Sequence, residues 1–377
     1  MEYRICRRCV MDTSDPDIRF DSNGFCNHCT AALQLKQMRV PVDKEKTFSR
    51  IVQEIKEKGK GKKYNCVIGV SGGVDSTYLA YVVVKKAGLT PLAIHVDNGW
   101  NTELANTNVY NAVKKLGIDL HTEVLDWEEF KSLQLAFFEA STPDMEIPTD
   151  HAIVSTLRNY AARYDVPLIL GTNYIGESIL PPAWSQGYSD WAYIKKINKK
   201  FGTRRLTSFP HVSVWRRIYL DRIKRQKIIS LLDYVDYQKE EAKKLLMREL
   251  DWRDYGGKHG ESFYTRFFQN YILPCKFGYD KRRAHLSSLI LAGQLTREEA
   301  LEELKKKPYN EDTLQEDIDY FIKKLGITLD DFNRIMHTKP RRYEDFSPLI
   351  LRRIDAYEKQ FFKKIIKLKN RFFKKKE

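Results

Sequence analysis

The chain has no apolar run long enough to cross a bilayer, and its opening residues, MEYRICRRC, lack the apolar stretch of a signal peptide. Both absences lead us to expect a cytoplasmic protein. Cysteine is scarce, with six in 377 residues. Four of them fall in two C-x2-C pairs, Cys66 lies within an apolar run, and Cys275 stands alone. Chemistry needing two further reactive thiols is therefore hard to build. Acidic residues are in deficit, 50 Asp and Glu against 65 Lys and Arg, for a net charge of +15. About half of that excess, +8, lies in residues 352–377. The rest is only mildly basic, which weakens a nucleic-acid reading based on overall charge. A chain of this length, 42% hydrophobic and 31% charged, has room for two or three domains with a proper core.

The pairs CRRC (Cys6, Cys9) and CNHC (Cys26, Cys29) flank FDSNGF, whose Asn-Gly is a hairpin turn signal. Four thiolates in this spacing suit one tetrahedral Zn2+ in a ribbon. Two disulfides or an iron–sulfur site are the competing readings. A closed four-sulfur site serves folding or docking, and His28 reads as a knuckle residue that does not bind the metal.

The apolar run YNCVIGV (64–70) reads as a buried parallel strand. SGGVDS follows directly, and residues 76–88 then have helical spacing ending in Lys-Lys-Gly. A strand, a glycine turn and a helix N-terminus together make an anion site, phosphate being the usual anion. The turn lacks the Lys of a Walker A loop and the spacing of G-x-G-x-x-G. A plain βα turn with a serine cap is the bland alternative. SGGVDS resembles the pyrophosphate-binding loop of the PP-loop ATP pyrophosphatases. That resemblance implies that Ser71, Gly72, Gly73, Val74, Asp75 and Ser76 hold ATP.

A second buried strand, TPLAIHVDNGW, carries His95 and Asp97 to its end, where ligands of open α/β sheets bind. Asp97 either meets the nucleotide or caps the helix near 103–116. DLHTEVL (119–125) alternates and reads as an edge strand. VPLILGTN (166–173) is a further buried strand ending at Gly171, Thr172 and Asn173. Helices are expected at 127–140 and 151–164. The fold class is therefore α/β, a doubly wound parallel sheet of PP-loop ATPase type, with an N-terminal zinc ribbon and a helical C-terminal region. The expected divisions are 1–40, 41–218 and 219–377.

Asp150 and Glu177, with Asp75, are candidate catalytic residues or Mg2+ ligands. Asp150 serves equally well as an N-cap. Residues 180–209 read as a loop rich in Trp, Tyr, Lys and Arg, a substrate or partner surface. In 258–301, Lys258, Arg266, Lys276, Lys281 and Arg282 either pair with phosphates or form a solvated face, and Lys276 is the one we take as catalytic. Thr296 and Glu299 form a capping-box pattern. The tail 359–376 places Phe361, Ile365, Leu368 and Phe372 at helical spacing among lysines. Such a helix either docks on acidic protein, makes peripheral contact with an anionic membrane, or packs on its own domain.

The pieces MEYRICRRCVMDTSDPDIRFDSNGFCNHC, IGVSGGVDSTYLA, HVDNGWNTELA, IPTDHAI, LGTN and RAHLSSLILAGQLTREEAL together resemble the N-acetyl sugar amidotransferase family, from Cys6 to about Leu301. The resemblance implies a role in bacterial surface-polysaccharide biosynthesis, with ATP, Mg2+ and Zn2+ as cofactors. It implies conversion of the N-acetyl group of a nucleotide-activated sugar to an acetamidino group. Ammonia would come from a glutaminase subunit through an ammonia-conducting barrel subunit, similar to the halves of imidazole glycerol phosphate synthase. No glutaminase cysteine is evident in this chain. The rival readings are a PP-loop tRNA thiolation enzyme and a non-catalytic scaffold.

Overall fold

The structure, a computed structural model, describes residues 2–257 and 260–346. Lys258 and the basic tail 359–376 lie outside the described residues. At the centre is a five-stranded, all-parallel sheet in the order β3-β2-β1-β4-β5. Its strands are β1 (Cys66–Gly69), β2 (Pro91–Asp97), β3 (Asp119–Val124), β4 (Leu168–Leu170) and β5 (Ile228–Ser230). Cys66 is opposite Pro91 across β1 and β2, and Val67 is opposite Leu168 across β1 and β4.

The doubly wound arrangement follows from side-chain alternation. Cys66 and Ile68 of β1, with Val70 just after it, join a core containing Val74, Tyr78 and Leu79 of the helix Val74–Tyr81. Val67 points the other way, with Leu92, Ile94 and Leu168, into a core closed by Leu157 and Ala161 of the helix Ile147–Arg163. β3 is the outer strand and its residues are alternately exposed, as the alternating sequence predicts.

Chain order reverses between β1 and β4. β1, β2 and β3 run outward one way, β4 and β5 the other. The loop after β1 therefore opens at a topological switch point, where ligands of such sheets bind.

The sheet does not stop at residue 218. β5 pairs with β4 through Ile228 opposite Leu168, and the helix Lys239–Leu250 packs Leu246 and Leu250 into the same core as Val74. The stretch 180–209, read as loop, contains the helix Trp191–Phe201. Asp190 caps it by accepting from Tyr193 N at 3.0 Å, and Trp191, Ile194 and Ile197 fall on one buried face. The Thr296–Glu299 capping box forms as expected.

His151 is buried in this aromatic region. Its ring stacks on Trp191 at 5.5 Å, and Nδ1 lies 2.6 Å from the Tyr188 carbonyl. Burial pushes its pKa down to about 4. An unfolded chain protonates this imidazole near pH 6.5, before the folded one does. Between those values the unfolded state binds more protons, so stability falls as pH falls. We expect His151→Phe to remove up to about 3 kcal/mol of acid-induced destabilisation between pH 7 and 4, at about 1.4 kcal/mol per pH unit. Urea melts of both proteins across that range would measure it. Parallel pH profiles would exclude a role for His151.

Candidate active site and metal centre

Four residues, Val70 to Gly73, connect β1 to its helix, and the path is tight. Gly72 has φ +81°. Its carbonyl accepts from the Trp252 indole at 2.8 Å and from Asn108 Nδ2 at 3.4 Å. Ser71 Oγ and Ser76 Oγ are 3.0 Å apart across the turn. Val74 N donates to the Tyr255 hydroxyl at 3.1 Å. Gly73 is the helix N-cap and carries no side chain to occupy the first-turn N–H groups, which leaves that helix end suited to an anion.

A cavity of about 220 Å3 lies over this loop. Of the residues expected to bind nucleotide, Ser71, Gly73, Val74, Asp75, Ser76 and Gly171 line it, as does Glu177. The others have different places. Gly72 turns its carbonyl inward, away from the cavity. His95 is buried, with Nδ1 2.8 Å from the Val70 carbonyl and Nε2 3.2 Å from Asn101, so it braces the ends of β1 and β2. Asp97 accepts from Gly99 N at 2.9 Å and shapes the turn after β2. It is not the cap of the next helix, because Thr102 is. Thr172 Oγ1 is 3.5 Å from Ser230 Oγ, and Asn173 caps the short helix Tyr174–Glu177. The Asp75 carboxylate accepts from the Tyr237 hydroxyl and, at 3.4 Å, from Asn173 Nδ2.

Lys276 is corrected. Its ammonium donates to the carbonyls of Met336 (3.2 Å) and Thr338 (2.7 Å), and to that of Ile335, at the end of the helix Leu329–His337. It satisfies the orphan carbonyls of a helix C-terminus and does not line the loop cavity. Burial lowers its pKa to about 8, and Arg341 adds to the effect. Arg266 is paired with Asp317 at 2.9 Å and Arg282 with Asp280 at 2.6 Å, so both are committed elsewhere.

Lys281 stands among carboxylates instead. It lies 3.6 Å from Glu146. Burial disfavours its charge, but Glu146, Asp144, Asp150 and Glu177 overcome this and raise its pKa. Asp150 is not an N-cap: it sits in the first turn of the helix Ile147–Arg163, behind Glu146. Its surface is exposed, yet protein packs densely around it. That desolvation, with Glu146 and Asp144 nearby, holds its carboxyl well above the usual range, Lys281 countering. Asp144 is raised too, chiefly by burial. Gln269 Nε2 holds Glu146 at 2.6 Å. Asp75, Asp150 and Glu177 do not converge: among the described residues, only the four N-terminal cysteines bring three or more metal-binding side chains together. Mg2+ bound through one or two carboxylates plus phosphate and water would suit this arrangement, and Asp75 and Glu177 are the cavity's expected donors.

Sequence reasoning missed Lys239, Lys243, Asp254, Tyr255, Glu261 and His285, which also line the cavity. Lys243 is tied to Asp254 at 3.0 Å. A Cβ on Gly73 would lie 3.2 Å from Glu261 Oε1, so that carboxylate stands directly over the loop.

At the N-terminus, the sulfurs of Cys6, Cys9, Cys26 and Cys29 all lie within 4.8 Å of one another and are buried. Cys6 and Cys29 are 3.8 Å apart, Cys9 and Cys26 3.7 Å. A tetrahedral ion with metal–sulfur bonds of about 2.3 Å sets sulfurs about 3.8 Å apart, so the residues fit one such ion. Backbone N–H groups of Cys26 and Arg8 point at Cys6 Sγ at 3.2 and 3.4 Å, as suits a thiolate. His28 is no ligand and pairs with Asp15.

The ribbon docks on the C-terminal helices. Arg297 donates to the carbonyls of Cys6 (2.9 Å) and Cys9 (3.2 Å), Arg283 to that of Val10 (2.9 Å), and Ser287 Oγ accepts from Val10 N at 3.1 Å. Arg283 and Ser287 share a helix, Lys281–Ala292, with Lys281 and His285. Metal removal by a strong chelator should therefore lower the melting temperature and also weaken ligand binding at the loop. Chelation with no change in either would exclude this coupling.

Residues 261–366 match the family model described as LPS biosynthesis protein WbpG-like, C-terminal domain. That domain supplies Glu261, Lys281 and His285. The chain is 24% identical over 314 residues, 80% of its length and 93% of the relative's, to an uncharacterized protein of Methanocaldococcus jannaschii. It is 32% identical over 108 residues to a GMP synthase [glutamine-hydrolyzing] of Pyrobaculum aerophilum, a match spanning 28% of this chain and 20% of that one. Among solved structures it is similar to an NMN synthetase from Francisella tularensis (18% identity, TM-score 0.30, 55% of this chain and 71% of the other). It is also similar to the U34-tRNA thiolase NcsA of Methanococcus maripaludis with its [4Fe-4S] cluster (16%, TM-score 0.32, 78% and 88%).

Proposed function

We propose that this protein is an ATP-dependent amidotransferase of lipopolysaccharide biosynthesis. It converts the N-acetyl group of a nucleotide-activated sugar to an acetamidino group. The observation that carries the reading is the meeting of two parts at one cavity: a PP-loop at the switch point of the sheet, and Glu261 and His285 from the WbpG-like domain.

An amide carbonyl is a poor electrophile, and its oxygen is a poor leaving group. In the first step the amide oxygen attacks the α-phosphorus of ATP, the bond to the bridging oxygen breaks, and pyrophosphate leaves. The loop N–H groups and Lys239 hold the departing phosphates. Mg2+, held by carboxylates such as Asp75 and Glu177, supplies charge neutralisation. In the second step ammonia adds to the imidate carbon and loses a proton. Asp150, whose carboxyl is held well above the usual range, accepts that proton. The C–O bond breaks, AMP departs, and an amidine remains. Ammonia is delivered by a partner glutaminase through a barrel subunit, and the metal in the ribbon is Zn2+.

The thiolation rival needs a reactive thiolate or an iron–sulfur cluster, and a cluster would have to occupy the four ribbon cysteines. Outside the ribbon, Cys66 is buried and pushed up to about 12, and burial raises Cys275 too. Both shifts work against a thiolate outside the ribbon.

The test incubates the protein with ATP, Mg2+, excess ammonium chloride and a panel of nucleotide-activated N-acetyl sugars. AMP formation that depends on one sugar, together with exchange of O for NH in that sugar, is the expected result. AMP formation with tRNA and with none of the sugars would sink the reading.

A further inference from the structure

The second and larger cavity, about 650 Å3, lies away from the loop. It is enclosed by the ribbon, residues 183–186 and residues 339–344. We propose that it is the acceptor site and takes a nucleoside-diphosphate N-acetyl sugar, a proposal that rests on the amidotransferase reading above.

Four observations carry this. The first is size. Small-molecule sites run to roughly 300–1,000 Å3. The loop cavity, about 220 Å3, is too small for both substrates, whereas this one exceeds what a single sugar ring would fill.

The second is an unmet hydrogen bond. Trp184 lines the cavity, is buried, and its indole Nε1 has no partner. A buried N–H without an acceptor is costly, and a ligand oxygen would supply one. Its ring stacks on Tyr279 at 5.3 Å, which gives the cavity a flat aromatic wall of the kind sugar and base rings pack against.

The third is charge. Lys339 and Arg342 line the cavity, and among the described residues neither side chain is engaged in an ion pair. Arg342 is close enough to Tyr279 for its charge to act on that phenol. A guanidinium and an ammonium beside an aromatic wall suit a diphosphate next to a ring. Carboxylates, among them Asp144, supply acceptors for sugar hydroxyls.

The fourth is connection to the chemistry. Asp144 lines this cavity and accepts from Glu146 N at 3.1 Å, Glu146 lies 3.6 Å from Lys281, and Lys281 is one helical turn from His285, which lines the loop cavity. The two cavities are thus two ends of one charged seam. An acceptor with its diphosphate near Arg342 would extend its N-acetyl group along that seam toward the loop.

The experiment titrates the full-length, metal-loaded protein by calorimetry with UDP, UDP-N-acetylglucosamine and UDP-N-acetylglucosaminuronic acid. A non-hydrolysable ATP analogue is titrated in parallel. Arg342→Ala and Lys339→Ala should each weaken the best sugar probe tenfold or more and leave the ATP analogue within twofold. Gly72→Ala should do the reverse. Melting temperatures would show that each variant is folded. The proposal is overturned if none of the three probes binds, if Arg342→Ala and Lys339→Ala bind the probe unchanged, or if the probe and the ATP analogue displace each other. Probe binding that depends on Arg342, without AMP formation from any sugar, would uphold the site and sink the reaction. Amidine formation with probe binding indifferent to Arg342 would do the opposite.

Discussion

Gly72→Ala should lower AMP formation at least a hundredfold and destabilise the protein by about 3 kcal/mol. Two effects add at this position. At φ +81° an L-residue pays about 1–2 kcal/mol for the left-handed region. In addition, the new Cβ would sit 2.3 Å from the carbonyl oxygen of Ala105, deep inside contact distance. That oxygen belongs to the backbone of the helix Glu103–Leu116, so it cannot swing away as a side chain does. Relief means moving the loop or the helix, at an overpacking cost of about 1–3 kcal/mol. A displacement near 1 Å at a phosphate-holding loop costs about a hundredfold in rate. Two control substitutions separate the effects. Gly61→Ala meets φ +75° with nothing within 4 Å and should cost only the strain. Gly73→Ala has no positive φ and meets the movable side chains of Glu261 and Ser71 at 3.2 Å, so its loss should be smaller. Thermal melts and pyrophosphate-release assays on the three variants decide the matter. A Gly72→Ala protein with the activity of Gly61→Ala would refute the account.

Much of this architecture was legible because it rests on local pattern. The runs at β1 and β2 are β-branched and continuous, which is what a strand covered on both faces requires. The cysteine spacing closes four sulfurs around one point through short knuckles, so it too is a local signal. The strand β5 was not legible, because three residues, Ile228, Ile229 and Ser230, give no period to detect. The helix Trp191–Phe201 was hidden in a stretch whose Trp and Tyr read as surface; Trp191 and Tyr193 are core.

The residues that complete the loop cavity show the deeper limit. Tyr237 holds Asp75 from 162 positions away, Trp252 holds Gly72 from 180, and Tyr255 holds Val74 from 181. No spacing rule links such pairs. Lys276 and Lys281 are five residues apart in one basic stretch, and only the structure separates them. The wide-turn helical segment Phe268–Phe277, interrupted by Pro274, breaks the helical phase before Lys281 begins the next helix. One lysine therefore caps a helix while the other enters the carboxylate cluster.

Lys281→Met should be the most damaging change in that cluster, and its effect should depend on pH. Lys281 is the cation that counters Asp144 and Asp150 in the folded protein. Without it, Asp144, Glu146 and Asp150 face one another across a poorly solvated space. Breaking a buried ion pair by removing one partner costs about 3–5 kcal/mol. The Lys281 side chain keeps 23% of its surface accessible, which places the expected loss near the lower end. The sign of the pH effect follows from the carboxyl shifts. Burial and neighbouring acids raise the folded pKa of Asp144 and Asp150. Such groups favour the folded state when protonated, and that contribution is lost as pH rises through the folded pKa. Losing Lys281 pushes both carboxyls higher still. The gap between Lys281→Met and the parent protein should thus be widest at pH 8 and narrow toward pH 5, with Lys281→Arg restoring most of it. AMP formation should fall at least a hundredfold in the Met variant even at a pH where it is folded, because the same charge sets the protonation of Asp150. Melting curves from pH 5 to 8 give the first measurement, and activity at the pH of greatest stability gives the second. A stability gap constant across pH would show that Lys281 contributes only packing. Full activity in the folded Met variant would remove the cluster from the reaction altogether.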